Sequence, residues 1–92
     1  MFYAYIMTNK PNGTLYLGQT ENLTRRMWEH QNKMIPGFTK KYNLTKLVWY
    51  EVFNSRDDAL ATEIRIKAWK RVWKIEEIEK RNPEWSDLAQ EI

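Results

Sequence analysis

Residues 14–30 read TLYLGQTENLTRRMWEH, and the parsing of this stretch decides the fold. Alternating β-formers run to Gly18, Asn22 sits where a helix N-cap belongs, and a helix is expected over 23–32. Leu23, Arg26, Met27 and His30 are spaced i, i+3, i+4 and i+7, so they share one helix face. The two apolar members should point inward, which carries an arginine and the only histidine of the chain toward the core. Arg25, Glu29 and Asn32 fall on the solvent side. The plain structural account is that Arg26 lays its stem along apolar surface and His30 caps the edge of the core.

Upstream, FYAYIMT (2–8) alternates in the manner of a strand, and NKPNG (9–13) is turn chemistry. Pro11 presets φ there, and Asn12-Gly13 tolerates positive φ, so residues 14–18 return as the second arm of a hairpin. If paired residues have numbers summing to an odd value, Tyr3, Tyr5, Tyr16 and Gly18 share one face, and Ala4, Ile6, Leu15 and Leu17 the other. Downstream, MIPGFTKKYN (34–43) reads as a loop and KLVWYEVF (46–53) as a strand. Ser55 with Asp58 resembles a capping box that opens a long helix to about residue 75, with a continuation to 81, until Asn82-Pro83 stops it. EWSDLAQEI (84–92) reads as a short terminal helix. The order β-β-α-β-α predicts an α+β fold: a three-stranded, mostly antiparallel sheet with helices packed on it, residues 1–92 forming one domain.

Ninety-two residues suffice for one core, and the absence of cysteine excludes disulfides and thiolate metal sites. Fifteen Lys+Arg against twelve Asp+Glu leave a net charge of +3, a mild excess compatible with nucleic acid as a partner. No apolar run approaches the ~20 residues of a membrane span, and the N-terminus lacks a basic signal-peptide region. A cytoplasmic protein without a membrane partner is expected.

Along the second helix, Ala59, Glu63, Ile66, Trp69 and Trp73 form a stripe that sets the Glu63 carboxylate beside apolar neighbours. The alternative for Glu63 is a surface ion pair with Lys67 one turn on. Paired tyrosines on a sheet are ordinarily packing, and Gly18 marks the close approach of a ligand or another backbone. Taken together, two phenols, a guanidinium, an imidazole and a carboxylate supply an acid/base, a clamp for negative charge and a metal ligand, the parts needed for phosphodiester hydrolysis.

The ordered set AYI (4–6), YLG (16–18), Arg26 ten residues beyond Tyr16, His30 one helical turn later, and Glu63 on a later helix resembles the GIY-YIG nuclease domain. NKPNGTLYLGQTENLTRRMWEH, GFTKKYN and NPEW are similar to the small stand-alone bacterial members, and the likeness covers nearly the whole chain. It implies a metal-dependent endonuclease acting on nucleic acid, DNA in the first instance. In that reading Tyr5 is the general base, Arg26 the phosphate clamp, His30 a water-orienting or proton-shuttling group and Tyr16 a positioning group. Glu63 is the ligand of one Mg²⁺ or Mn²⁺. Gly18, Gln19, Lys40, Lys41 and Asn82 fall on the substrate side. The chain departs from the pattern in Tyr3-Ala4-Tyr5 for Gly-Ile-Tyr, in Leu17 for Ile, and in Gln19 where some relatives carry a lysine. A phenol acting as a base near neutral pH needs positive charge beside it, and Lys40 or Lys41 is then expected to replace that lysine. Two other readings compete: a non-catalytic nucleic-acid-binding domain that keeps the nuclease fold, and a protein-interaction module built on the 56–75 helix. No zinc-finger or helix-turn-helix signature is present, so targeting would come from DNA structure or from a protein partner.

Overall fold

The computed structural model describes all 92 residues, Met1–Ile92. Strands β1 (Phe2–Thr8) and β2 (Leu15–Thr20) form the hairpin, with Asn12 in the left-handed region at φ 57°. Tyr3 lies opposite Thr20, Tyr5 opposite Gly18 and Met7 opposite Tyr16, the odd-sum register. Strand β3 (Lys46–Phe53) pairs antiparallel with the other side of β1, giving the order β2-β1-β3. The α+β architecture with an antiparallel sheet is as the sequence implies.

The two sheet faces bury separate cores. Ala4, Ile6, Leu17 and Trp49 pack with Ile66 of α3 (Arg56–Lys67) and Ile78 of α4 (Arg71–Arg81). On the opposite face, Tyr5, Met7 and Leu47 pack with Leu23 and Met27 of α1 (Leu23–Gln31). Strict alternation would put Leu47 and Trp49 on one face. A β-bulge prevents this: Ile6 pairs with Trp49 and Met7 with Leu47, so Val48 is the extra residue and joins Trp49 in the first core.

Helix starts follow their caps. Asn22 Oδ1 accepts from Arg25 N–H at 3.1 Å, and Ser55 Oγ accepts from Asp58 N–H at 3.1 Å, with Asp57 and Asp58 favourably placed in the first turn of α3. The long second helix is corrected by the structure. It breaks after Lys67, Lys70 turns extended, and α4 starts afresh at Arg71. The break brings Trp69, Ile75 and Ile78 back onto the core that Ile66 already fills, while Trp73 is half exposed. A continuous stripe from Ala59 to Trp73 therefore does not exist. Spacing missed this because the residues on either side of the break keep helical phase. The 34–43 loop also holds a short helix, α2 (Phe38–Lys41), introduced by Gly37 at φ 105°, and the terminal segment closes as a 3₁₀ turn, Leu88–Glu91.

Strand β3 is an edge strand, and the end of the chain covers it. Asn82 Nδ2 donates to the Val48 carbonyl at 3.1 Å and to the Ser86 carbonyl at 2.9 Å, and its Oδ1 accepts from Ser86 N–H. Asp87 Oδ1 accepts from Leu47 N–H, and Arg81 donates to the Tyr50 carbonyl. Trp85 is buried at φ 56°, a costly backbone state for a bulky residue, and its indole N–H donates to Glu79. At the far end of the fold, Arg71 donates to the Asn12 and Gly13 carbonyls and ties α4 to the hairpin turn. Replacing Asn82 by Ala leaves the Val48 carbonyl without this donor, and urea unfolding is expected to show a loss of about 1–3 kcal/mol.

Candidate active site

The site starts at Gly18. A Cβ built there would stand 2.5 Å from Tyr5 Cζ, 2.6 Å from its Oη and 3.0 Å from the Tyr16 ring. The close approach at this glycine is made by the two tyrosine rings. With no side chain on β2 at this point, the Tyr5 ring lies across the strand. Tyr16 packs beside it with centroids 6.3 Å apart.

His30, near the end of α1, meets both rings edge-on at 5.9 and 5.8 Å. Its Nε2 is 3.1 Å from Tyr5 Oη and its Nδ1 is 3.2 Å from Thr39 Oγ1. Both of its partners are hydroxyls, able to donate or accept, so each ring nitrogen of a neutral imidazole is satisfied. Thr39 is buried on α2, and the neighbouring Phe38 stacks on Tyr16 at 6.4 Å. Sequence reasoning missed this second partner of the histidine because the segment reads as a loop. The available signal was Gly37 directly before it, a residue suited to starting a short helix from a backbone shape other residues avoid.

The electrostatics run against a ready-made phenolate. Burial pushes the Tyr5 phenol above its ordinary value. Tyr16, Glu63 and Glu29 add to that push, and only the Arg26 guanidinium opposes it. Lys40 and Lys41 lie exposed on α2, Lys41 over the Tyr42 ring, and Arg26 is the cation that lowers the phenol. Burial, reinforced by Arg26, lowers His30 from 6.5 to about 4, with Glu29 opposing. At neutral pH the site thus holds a protonated phenol hydrogen-bonded to a neutral imidazole.

Glu63 stands on α3, in the layer that covers the other face, yet its charge acts on the same phenol. Its side chain is only 15% exposed and is paired with Lys67 Nζ at 3.6 Å. Arg26 pairs loosely with Glu29 at 3.8 Å. Helix α3 lies chiefly against β1 and β2, and β2 is the outer strand. Around it, groups of both layers come within range of Tyr5. Gln19 lines a hollow of about 190 Å³ together with Arg26. Asn82 is buried beneath β3, with both amide hydrogens engaged by the Val48 and Ser86 carbonyls. No cluster of three His, Cys, Asp or Glu able to cage a metal exists.

This small β-β-α-β-α domain packs Tyr5, Tyr16 and His30 together, with the charges of Arg26 and Glu63 acting on the Tyr5 phenol. Residues 1–76 match the family described as the GIY-YIG catalytic domain, and the chain belongs to it. Its relatives include small bacterial proteins of the UPF0213 group. The one from Staphylococcus haemolyticus is 35% identical over 86% of this chain and 95% of its own length. That from Clostridium perfringens is 32% identical over 100% of this chain and 98% of its own. The solution NMR structure of a UPF0213 protein from Bacillus halodurans shares the fold, with a TM-score of 0.59 at 23% identity, covering 98% of this chain and 96% of that one. No helix is long and apolar enough to cross a membrane.

Two outcomes follow from the site's packing and charge. Gly18→Ala forces the Tyr5 ring off its position; thermal or urea unfolding is expected to show about 1–3 kcal/mol of overpacking cost, with the His30 NMR signals displaced. Because His30 binds its proton less readily when folded than when unfolded, stability is full above pH 6.5 and falls as pH drops toward 4. The loss attributable to His30 is on the order of 3 kcal/mol, and His30→Gln should flatten that part of the stability–pH curve.

Proposed function

We propose that the protein is a metal-dependent endonuclease hydrolysing phosphodiester bonds of DNA. The observation that carries this reading is the Tyr5–His30 hydrogen bond at 3.1 Å beside Arg26, with the charge of Glu63 acting on the same phenol. Arg26 binds the non-bridging phosphate oxygens through paired N–H donors as negative charge builds on them.

Tyr5 and His30 act as one proton path. The attacking water passes a proton to Tyr5 Oη while the Tyr5 proton moves to His30 Nε2, so no free phenolate forms. The water oxygen bonds to phosphorus as the P–O bond to the leaving oxygen breaks, and that oxygen takes up a proton from solvent. The tautomer this needs has Nδ1–H donating to Thr39 Oγ1, which the 3.2 Å contact accommodates. Burial opposes both a charged phenol and a charged imidazole, so the imidazolium made in this step needs the anionic phosphate nearby. Tyr16 holds the Tyr5 ring and lines the substrate side.

The donor set fits a hard divalent ion. A closed protein cage is absent, and a single carboxylate, with waters and phosphate oxygens as remaining ligands, suits Mg²⁺ or Mn²⁺. Glu63 would hold it, and Lys67, 61% exposed, is free to swing away from that carboxylate. When bound, such an ion stabilises charge on the phosphate and the leaving oxygen. A non-catalytic nucleic-acid-binding role draws support from the strongly protonated phenol. Cleavage of branched, nicked and single-stranded DNA in Mg²⁺ or Mn²⁺ decides between them. The nuclease reading expects Glu63→Gln and Arg26→Ala each to reduce the rate by about 10²-fold or more while Glu63→Gln still binds DNA. Binding without cleavage by the unaltered protein leaves the non-catalytic role.

A further inference from the structure

We propose that the outer end of β2 is a track for the sugar–phosphate backbone next to the scissile phosphate. Arg56 and Arg25 flank Arg26 along it, and Glu21 occupies a phosphate position until nucleic acid displaces it. The proposal rests on the nuclease reading and extends it to the phosphates on either side of the reacting one.

Two hollows adjoin at this place. The first, of about 190 Å³, is lined by Arg26 and Arg56 with Gln19, Thr20 and Glu21. The second, of about 320 Å³, is lined by Arg25 and Arg26 and again by Thr20 and Glu21. Arg26, Thr20 and Glu21 line both hollows, so the three guanidiniums border adjoining depressions. Arg25 and Arg26 come from the start of α1, and Arg56 comes from the first residue of α3 in the opposite layer. The depressions thus span both layers where β2 ends.

Each arginine is already turned toward an oxyanion. Arg56 Nη2 is 3.5 Å from Glu21 Oε2, and Arg25 and Arg26 face Glu29 at 3.4 and 3.8 Å. Glu21 and Arg56 are both about two-thirds exposed, so their pairing is weak and easily exchanged. A phosphate offers the same guanidinium two oxygens in matching planar geometry. Arg56 also lies 5.8 Å from the Phe2 ring, which borders the same hollow and steadies the side chain there. Asp57 and Asp58, its neighbours in the first turn of α3, form no ion pair with it.

The inference predicts opposite signs for two exposed residues. Binding of fluorescein-labelled duplex DNA is followed by anisotropy in EDTA across a salt series, so that cleavage plays no part. Arg56→Ala should weaken binding and make the slope of log K against log salt shallower by about 0.9, one phosphate contact, whereas Arg56→Lys should retain the slope. Glu21→Gln should bind more tightly than the unaltered protein. Melting temperatures should stay level, since neither side chain is buried. If the unaltered protein binds and both Arg56→Ala and Glu21→Gln match it in affinity and slope, the track is wrong and the nucleic-acid reading stands. If the unaltered protein fails to bind even at low salt, the nucleic-acid reading falls and the track with it.

Discussion

A missing side chain organises this protein. The Tyr5 ring can cross β2 only because residue 18 carries no Cβ, and that crossing carries the Tyr5 hydroxyl to His30. The hairpin register makes the arrangement possible, since it sets Gly18 opposite Tyr5 and Tyr16 opposite Met7 on the same face. A slip of one residue would turn the β2 positions, Tyr16 and Gly18, to the other face and part them from Tyr5. The same register serves stability, because Met7 and Tyr5 belong to the core that holds α1 and so fixes the height of His30. Packing and chemistry here depend on one pairing.

Burial then decides the charge state of the pair. A phenol and an imidazole in contact and away from water both favour their neutral forms, and Arg26 further disfavours a charged imidazole. In the proposed reaction the proton therefore moves along the Tyr5–His30 hydrogen bond rather than leaving a phenolate in advance. Arg26 has two opposed effects: it lowers the phenol, which helps proton release, and lowers the imidazole, which hinders proton uptake.

The two edges of the sheet are put to different use. At β3 the chain end supplies Asn82 and Asp87 to backbone groups that no partner strand meets, which closes that side. At β2 the layers meet around the strand, and charged groups from α1 and α3 act on one phenol. The family match ends at residue 76, and the tail beyond it, within which Asn82, Trp85 and Asp87 lie, is what covers β3.

Local chemistry in the sequence determined a good deal. The turn residues at 9–13, the alternation on either side, the Asn22 and Ser55 caps and the spacing of Leu23, Arg26, Met27 and His30 specify the hairpin, the helix starts and the face that carries His30, because each depends on near neighbours. The break between α3 and α4, the bulge at Val48 and the short helix carrying Thr39 were decided only by tertiary structure. Each answers a demand of packing between distant segments. A helical stripe keeps its phase across a break, a strand's alternation conceals one extra residue, and a loop-like stretch folds once Phe38 finds Tyr16. Asn82 shows the limit from the other side: nothing in its local sequence announces that it donates to the Val48 carbonyl of a distant edge strand.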